Sequence, residues 1–179
     1  MSIKYVMLGL LSRKPSTGYE LKKIIEGSPV MLCSSNNSQI YKTLGQLLSE
    51  GLVTVEASQQ DAAPYKKVYT ITGNGLAGLK DWVLSEPEAP EFRKTFLLQL
   101  AWADRLSSEE LNRLLSKYEN ELSIQILVYQ EKSRRNTFVP NKGPRETLLW
   151  NMLSNNLISS LRSELDWVRR IRRELSDTI

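Results

Sequence analysis

The chain has 179 residues, 41% hydrophobic and 25% charged, enough for one large or two small domains of ordinary globular composition. It holds no histidine and a single cysteine, Cys33, which excludes an internal disulfide, a cysteine-built metal site within one chain, and every nucleophile that relies on histidine as its base. A net charge of +4 favours an anionic partner, but residues 1–86 carry 9 Lys/Arg against 7 Asp/Glu and residues 87–179 carry 15 against 13, so a nucleic-acid surface has to come from local placement.

In chain order, Ile3 to Ser12 is apolar on nearly every side and predicts a short buried helix. Arg13-Lys14-Pro15 ends it, because proline lacks an N–H and clashes with the preceding turn. No small-residue cleavage site follows, and no apolar run nears the roughly 20 residues that span a bilayer. The expectation is therefore a cytoplasmic protein with no membrane contact. Thr17 and Glu20 have capping-box spacing and open a second helix, whose apolar side is read as Tyr19, Leu21, Ile24 and Ile25. Gly27, Ser28 and Pro29 close it. Cys33, in the next loop, reads either as a small apolar residue near the core or as a redox-sensing thiol.

A third helix runs from about Asn37 or Ser38 to Glu50 and stops at Gly51. Its core stripe is read as Ile40, Leu44, Leu47 and Leu48. Its other side carries Gln39, Lys42, Thr43 and Gln46, and no Asp or Glu occurs from Ser34 to Ser49. The segment LVTVEAS then alternates with a period of two, QQDAAPY forms a turn-like tip, and KKVYTIT returns, which together predict a hairpin. Thr72 opens another helix, GLAGLKDWVL. The Pro/Glu segment SEPEAPEF is the best linker in the chain, and it divides residues 1–86 from residues 87–179.

The second part reads as helical throughout. Phe92 to Ala103 forms a short helix. Ser107 to Glu110 is a second capping box opening a long one, with Leu111, Leu115, Tyr118, Leu122, Ile126 and Tyr129 on its apolar side. VPNKGP breaks that helix, and Pro144 starts a last one reaching about Ser176. At 1.5 Å per residue the last helix is roughly 48 Å long, more than the width of a domain under 100 residues. Its stripe of Leu149, Leu153, Leu157, Leu161, Leu165, Val168 and Ile171 therefore calls for a partner, and a second copy of the chain is the expected one.

Three helices, a hairpin and a further helix is the order of a winged helix-turn-helix. The fold class expected is mainly α: a winged helix-turn-helix DNA-binding domain followed by an all-α dimerisation domain with long helices. A helix laid in the major groove presents donors and acceptors to base edges and phosphates, where carboxylates are repelled. That chemistry suits Asn36, Asn37, Ser38, Gln39, Tyr41, Lys42 and Thr43. Lys66 and Lys67, beside the hairpin tip, suit a phosphate backbone, although paired lysines also guard a sheet edge.

The segments LGLLSRKPSTGYELKK, SQIYKTLGQLLSEGLV and KKVYTITGNGLAGL resemble the PadR family of transcriptional regulators. The residues that carry the resemblance are Leu8 to Leu11, Gly18 to Leu21, Ser38, Tyr41, Leu44, Leu47 or Leu48, Gly51-Leu52, Tyr69, Thr72 and Gly75. The linker and long helices resemble the PadR/AphA-like subfamily with a larger C-terminal domain. This implies a bacterial homodimer on a near-palindromic double-stranded DNA operator, most often a repressor released by a small ligand, with no cofactor and no enzymatic role. It also implies that Tyr41 faces the DNA backbone and that Tyr19 is structural. Trp102, Tyr118, Tyr129, Arg134 and Trp150 are candidates for the pocket of a small aromatic or phenolic effector, against the ordinary reading of helix aromatics as core. A virulence-type activator and a winged helix that binds only protein are the competing readings.

Overall fold

A computed structural model describes residues 3–28, 30–31, 37–58, 66–90, 94–135 and 143–176. Cys33, Asn36, the 59–65 hairpin tip, Phe92 and most of VPNKGP fall outside these ranges, as does the side chain of Asn37. The chain divides into two compact units, with the boundary at Pro87 and Glu88. Among the described residues no helix is long and apolar enough to cross a membrane.

The first unit runs α1 (Ile3–Leu11), β1 (Ser16–Thr17), α2 (Gly18–Gly27), α3 (Asn37–Ser49), β2 (Val53–Ser58), β3 (Lys66–Ile71) and α4 (Gly73–Leu84). The expected hairpin pairs Val53 with Ile71 through to Ser58 with Lys66. It is joined by β1, which the sequence reading missed: Ser16 lies opposite Tyr69 and Thr17 opposite Val68, so the sheet order is β1-β3-β2. Two residues carry no readable alternation, which is why β1 left no trace in the pattern. The core is a single cluster of Met7, Leu8, Leu11, Leu21, Ile25, Ile40, Leu44, Leu47, Val53 and Tyr69. Each large apolar side chain sealed here contributes roughly 1.5–3 kcal/mol of transfer free energy.

Local bonds set the element ends. Thr17 caps α2 with its hydroxyl on the Glu20 amide, while Glu20 reaches back to the Thr17 amide at 2.7 Å. α3 ends in a left-handed Gly51, φ +69°. The Leu52 amide bonds the Leu47 carbonyl at 2.9 Å and the Gly51 amide bonds the Leu48 carbonyl at 3.1 Å, the paired bonds of a Schellman end. The next link is Thr72. Its hydroxyl donates to the Gly51 carbonyl at 2.8 Å and accepts from the Gly75 amide at 3.1 Å, and its own amide bonds the Leu52 carbonyl at 3.0 Å. Thr72 and Gly75 thus tie the start of α4 to the end of α3.

The second unit holds α5 (Thr95–Ala101), a 3-10 turn (Ala103–Arg105), α6 (Ser108–Arg135) and α7 (Pro144–Ser176). The cap of α6 is the expected box, Ser107 with Glu110. α6 and α7 run antiparallel: Arg172 near the end of α7 bonds Asn112, Ser116 and Glu119 near the start of α6. Phe96 of α5 stacks on Tyr118 with centroids 3.7 Å apart and meets Trp167 edge-on at 6.3 Å. This arrangement corrects the reading of the α7 stripe. Leu165 and Val168 are buried against α6 and α5 within the chain, and Leu161 and Ile171 pack on the same cluster. Leu149 and Leu153, nearer the start of α7, remain exposed. The fixed 3.6-residue period runs the length of α7, but α6 and α5 cover only part of it.

A Cβ at position 75 would stand 2.2 Å from the Leu52 carbonyl oxygen, a backbone atom that cannot turn aside. Gly75→Ala is expected to lower stability by about 1–3 kcal/mol, read as a lower denaturation midpoint in urea.

Candidate nucleic-acid interface

α3 is the centre of the candidate interface. Ile40, Thr43, Leu44 and Leu47 are its buried positions, and Ser38, Gln39, Tyr41, Lys42, Gly45 and Gln46 are exposed. The sealed stripe thus keeps Ile40, Leu44 and Leu47 of the expected one and differs at its edges. Thr43, expected on the open face, is 5% exposed and belongs to the core side; Leu48, expected in the core, is 41% exposed. The cause is geometric. With Ile40 at 0° and about 100° per residue, Leu44 and Leu47 lie within about 40° of it, Thr43 at about 60° on one flank and Leu48 at about 80° on the other, and the packing seals the flank of Thr43. A threonine methyl is apolar enough to sit where the packing demands.

Tyr19 departs from its expected role. It lies on the first turn of α2, 59% exposed, with the Lys23 ammonium 4.9 Å from its ring centroid. The buried side of α2 is Gly18, Leu21 and Ile25. Tyr19 and Lys23, at i and i+4, lie off that stripe, so a helical wheel centred on Leu21 and Ile25 would have found them.

A cleft of about 610 Å³ opens between the first turn of α2, α3 and β3. Its lining is Thr17, Gly18, Tyr19, Glu20, Tyr41, Lys66, Lys67 and Tyr69. It brings together three of the expected contact residues, Tyr41, Lys66 and Lys67, with the unexpected Tyr19. Tyr41 is 54% exposed and both lysines are exposed. Among the described residues that line it, Glu20 is the one carboxylate. Hydrogen bonds from the Thr17 amide and hydroxyl hold its carboxyl below the ordinary range, with Lys14 and Lys66 adding to the effect. Tyr69, at the back, is pushed up by burial and by the neighbouring Tyr41.

The family profile described as "Transcriptional regulator PadR-like family" matches residues 7–81, and "Virulence activator alpha C-term" matches residues 92–176. The negative transcriptional regulator PadR of Bacillus subtilis is 32% identical over 126 residues, which cover 68% of this chain and 69% of that protein. The chain belongs to the PadR family of transcriptional regulators. The fold agrees along the whole length. Bacillus subtilis PadR in complex with operator DNA superposes with a TM-score of 0.83 at 22% identity, over 96% of this chain and 98% of that one. The same protein in complex with p-coumaric acid gives 0.80 at 22% identity, over 97% and 98%. The virulence activator AphA of Vibrio cholerae gives 0.75 at 24% identity, over 99% and 100%. This PadR-family chain thus pairs a winged helix-turn-helix with a helical second unit.

In that second unit the five candidate effector residues do not converge. Tyr118 and Arg134 are 16 positions apart on α6, which is about 24 Å along one helix axis. Tyr118 donates to Glu164 at 3.0 Å and is covered by Phe96. Arg134 forms a two-pronged pair with Glu131. Trp102 is 68% exposed, Tyr129 packs on the core of the unit, and Trp150 is half-buried. Aromatic content, with a guanidinium able to hold a carboxylate at Arg134, was the signal behind this set, and it does not distinguish a pocket wall from helix packing.

Burial, with the hydrogen bond and negative charge of Glu164, pushes the Tyr118 phenol up to about 12. An unfolded tyrosine ionises near 10. Between the two values the folded chain holds a proton that the unfolded chain has lost, so stability is full below about pH 10 and falls as pH rises towards 12. Alkaline unfolding curves are expected to show that fall, and Tyr118→Phe to flatten it.

Proposed function

We propose that the chain is a cytoplasmic, homodimeric repressor that binds a near-palindromic operator through α3 and the β2–β3 wing and is released by a small aromatic acid. The observation that carries this reading is the open side of α3: Ser38, Gln39, Tyr41 and Lys42 exposed together without a carboxylate, with Lys66 and Lys67 on the wing. Gln39 suits an adenine edge, Ser38 either partner of a base pair, and Lys42 a guanine or a phosphate. Asn36 and Asn37 stay in the proposal as contacts at the helix start. Thr43 does not, because it is buried.

Repression and operator binding are supported by the Bacillus subtilis relative, a negative regulator whose structure holds operator DNA. The effector class is supported by its p-coumaric acid complex. An activator is the second reading, favoured by the match of residues 92–176 to the virulence-activator profile. A promoter fusion compared with and without the gene separates the two by the sign of the change.

Dimerisation is supported by apolar surface left open on the α6–α7 pair. Leu148, Leu149, Met152 and Leu153 on α7 and Ile124, Leu127 and Val128 on α6 are exposed, more than a solvated helix pair tolerates. A two-fold dimer reading successive major grooves holds its α3 helices about 34 Å apart.

A mobility shift with DNA upstream of the chain's own gene tests the reading. Lys42→Ala with Gln39→Ala is expected to abolish the specific shift, and Lys42→Ala alone to lower the salt dependence by about one counterion. Unchanged affinity in the double variant would remove α3 from the interface. For the dimer, Leu149→Glu with Leu153→Glu is expected to yield monomers in sedimentation while helical circular dichroism persists; a dimer of undiminished affinity would place the contact elsewhere.

A further inference from the structure

We propose that the groove between the middles of α6 and α7 binds a small aryl carboxylate, with the acid on Arg162 and the ring against Ile126, Leu127 and Leu165. This rests on the effector reading above and gives it a site, one that uses none of the candidates drawn from the sequence.

The groove has a volume of about 420 Å³. That lies within the roughly 300–1,000 Å³ of small-ligand sites. α6 lines it with Ser123, Ile126 and Leu127, and α7 with Arg162, Leu165, Asp166 and Arg169. Each set follows the three- and four-residue spacing that puts side chains on one side of a helix. Ile126 and Leu165 are buried and form an apolar floor, while Leu127 is exposed and forms a wall. The Ser123 hydroxyl donates to the Glu119 carbonyl at 2.8 Å, so it brings no free donor to the groove. The groove is therefore apolar below and cationic at its α7 rim.

The charges select the ligand. Asp166, the one carboxylate among the described residues of the lining, stands 4.0 Å from Arg169, and Arg169 also stands 3.9 Å from Glu119. Glu119 itself is held at 2.7 Å by Arg172. Arg162 makes no ion pair or hydrogen bond with any described residue. Two guanidinium groups thus face one carboxylate, and Arg162 is the uncommitted one. A guanidinium matches a carboxylate with two parallel hydrogen bonds. Arg169 lies two turns further along α7, about 10 Å, where its plane can cover the face of a ring. A neutral apolar ligand would leave Arg162 unanswered, and a bare anion would leave the apolar floor wet. An aryl acid answers both. Leu127 also belongs to the open apolar surface of α6 assigned to a second copy, so a ligand packed on it bears on the dimer contact. Unequal contact with two dimer arrangements is what lets a ligand shift their balance.

The test titrates the full chain with p-coumaric acid and with its uncharged amide by calorimetry. The acid is expected to bind, and the amide to bind roughly tenfold more weakly. Arg162→Gln is expected to weaken the acid by a similar factor and to leave the amide unchanged, a split that a general loss of structure does not produce. Ser123→Leu fills the groove from the α6 side and is expected to abolish binding of both while helical circular dichroism persists. Hexanoate, an acid without a ring, is expected to bind roughly threefold or more weaker than the aryl acid. In a mobility shift with DNA upstream of the chain's own gene, release of Arg162→Gln is expected to need roughly tenfold more acid than release of the wild type. Unchanged acid affinity in Arg162→Gln, or in a folded Ser123→Leu, overturns the groove as the site and leaves the effector reading standing. Equal affinity for hexanoate overturns the aryl assignment. If Ser123→Leu fails to fold, Arg162→Gln decides alone, since that side chain is exposed. A wild-type chain that neither binds the acid nor releases DNA in its presence overturns the effector reading, and the site with it.

Discussion

Burial of Ile40, Thr43, Leu44 and Leu47 fixes the rotation of α3 about its own axis, and the interface follows from that rotation. Ile40, Leu44 and Leu47 share one cluster with residues of α1, α2 and β2, so turning α3 by a single position would expose leucines and bury an amide or an ammonium. The penalty for that error is several kcal/mol, far above what a surface contact returns. What α3 offers to a groove is thus set by what it must hide. The Schellman end at Gly51 and the Thr72 link then hold the strands of the wing in a fixed relation to the same helix.

The second unit is organised by a different balance. Its helices share an apolar seam, but polar side chains fix its register. Glu164 accepts from Tyr118 and pairs with Lys94, while Glu119 pairs with Arg172. Such pairs add little net stability when partly exposed, but a one-turn slip would leave several half-buried charges without partners. Specificity of register is therefore their main effect. The seam stops short of the start of α7, and the leucines left open there form the surface available to a second copy.

Much of this was readable from the residues. The order of helices and strands, both capping boxes and the bounds of α7 came from period, Gly, Pro and Ser/Thr-Glu spacing, because these signals act over fewer than eight residues. The contact candidates on the open side of α3 came from the absence of acids. What escaped was whatever required knowing a neighbour in space. β1 is too short to show a period. Thr43 and Leu48 exchange sides because the packing of α1 and α2, rather than their own polarity, decides which is covered. Tyr19 looked structural because an aromatic near Leu21 reads as core until the helix is seen in place.

The sequence by itself determined the fold class, the family and the electrostatic character of the groove-facing helix, since each depends on composition and short-range spacing. Only the tertiary structure decided which half of the α7 stripe stays inside the chain, that Tyr118 and Tyr129 pack in the core of the second unit while Trp102 is exposed, and that Gly18, Tyr19, Tyr41, Lys66 and Lys67 meet around one cleft. The reason is distance along the chain. Residues 28–65 separate α2 from β3, and no local pattern records which distant backbone a ring will rest upon.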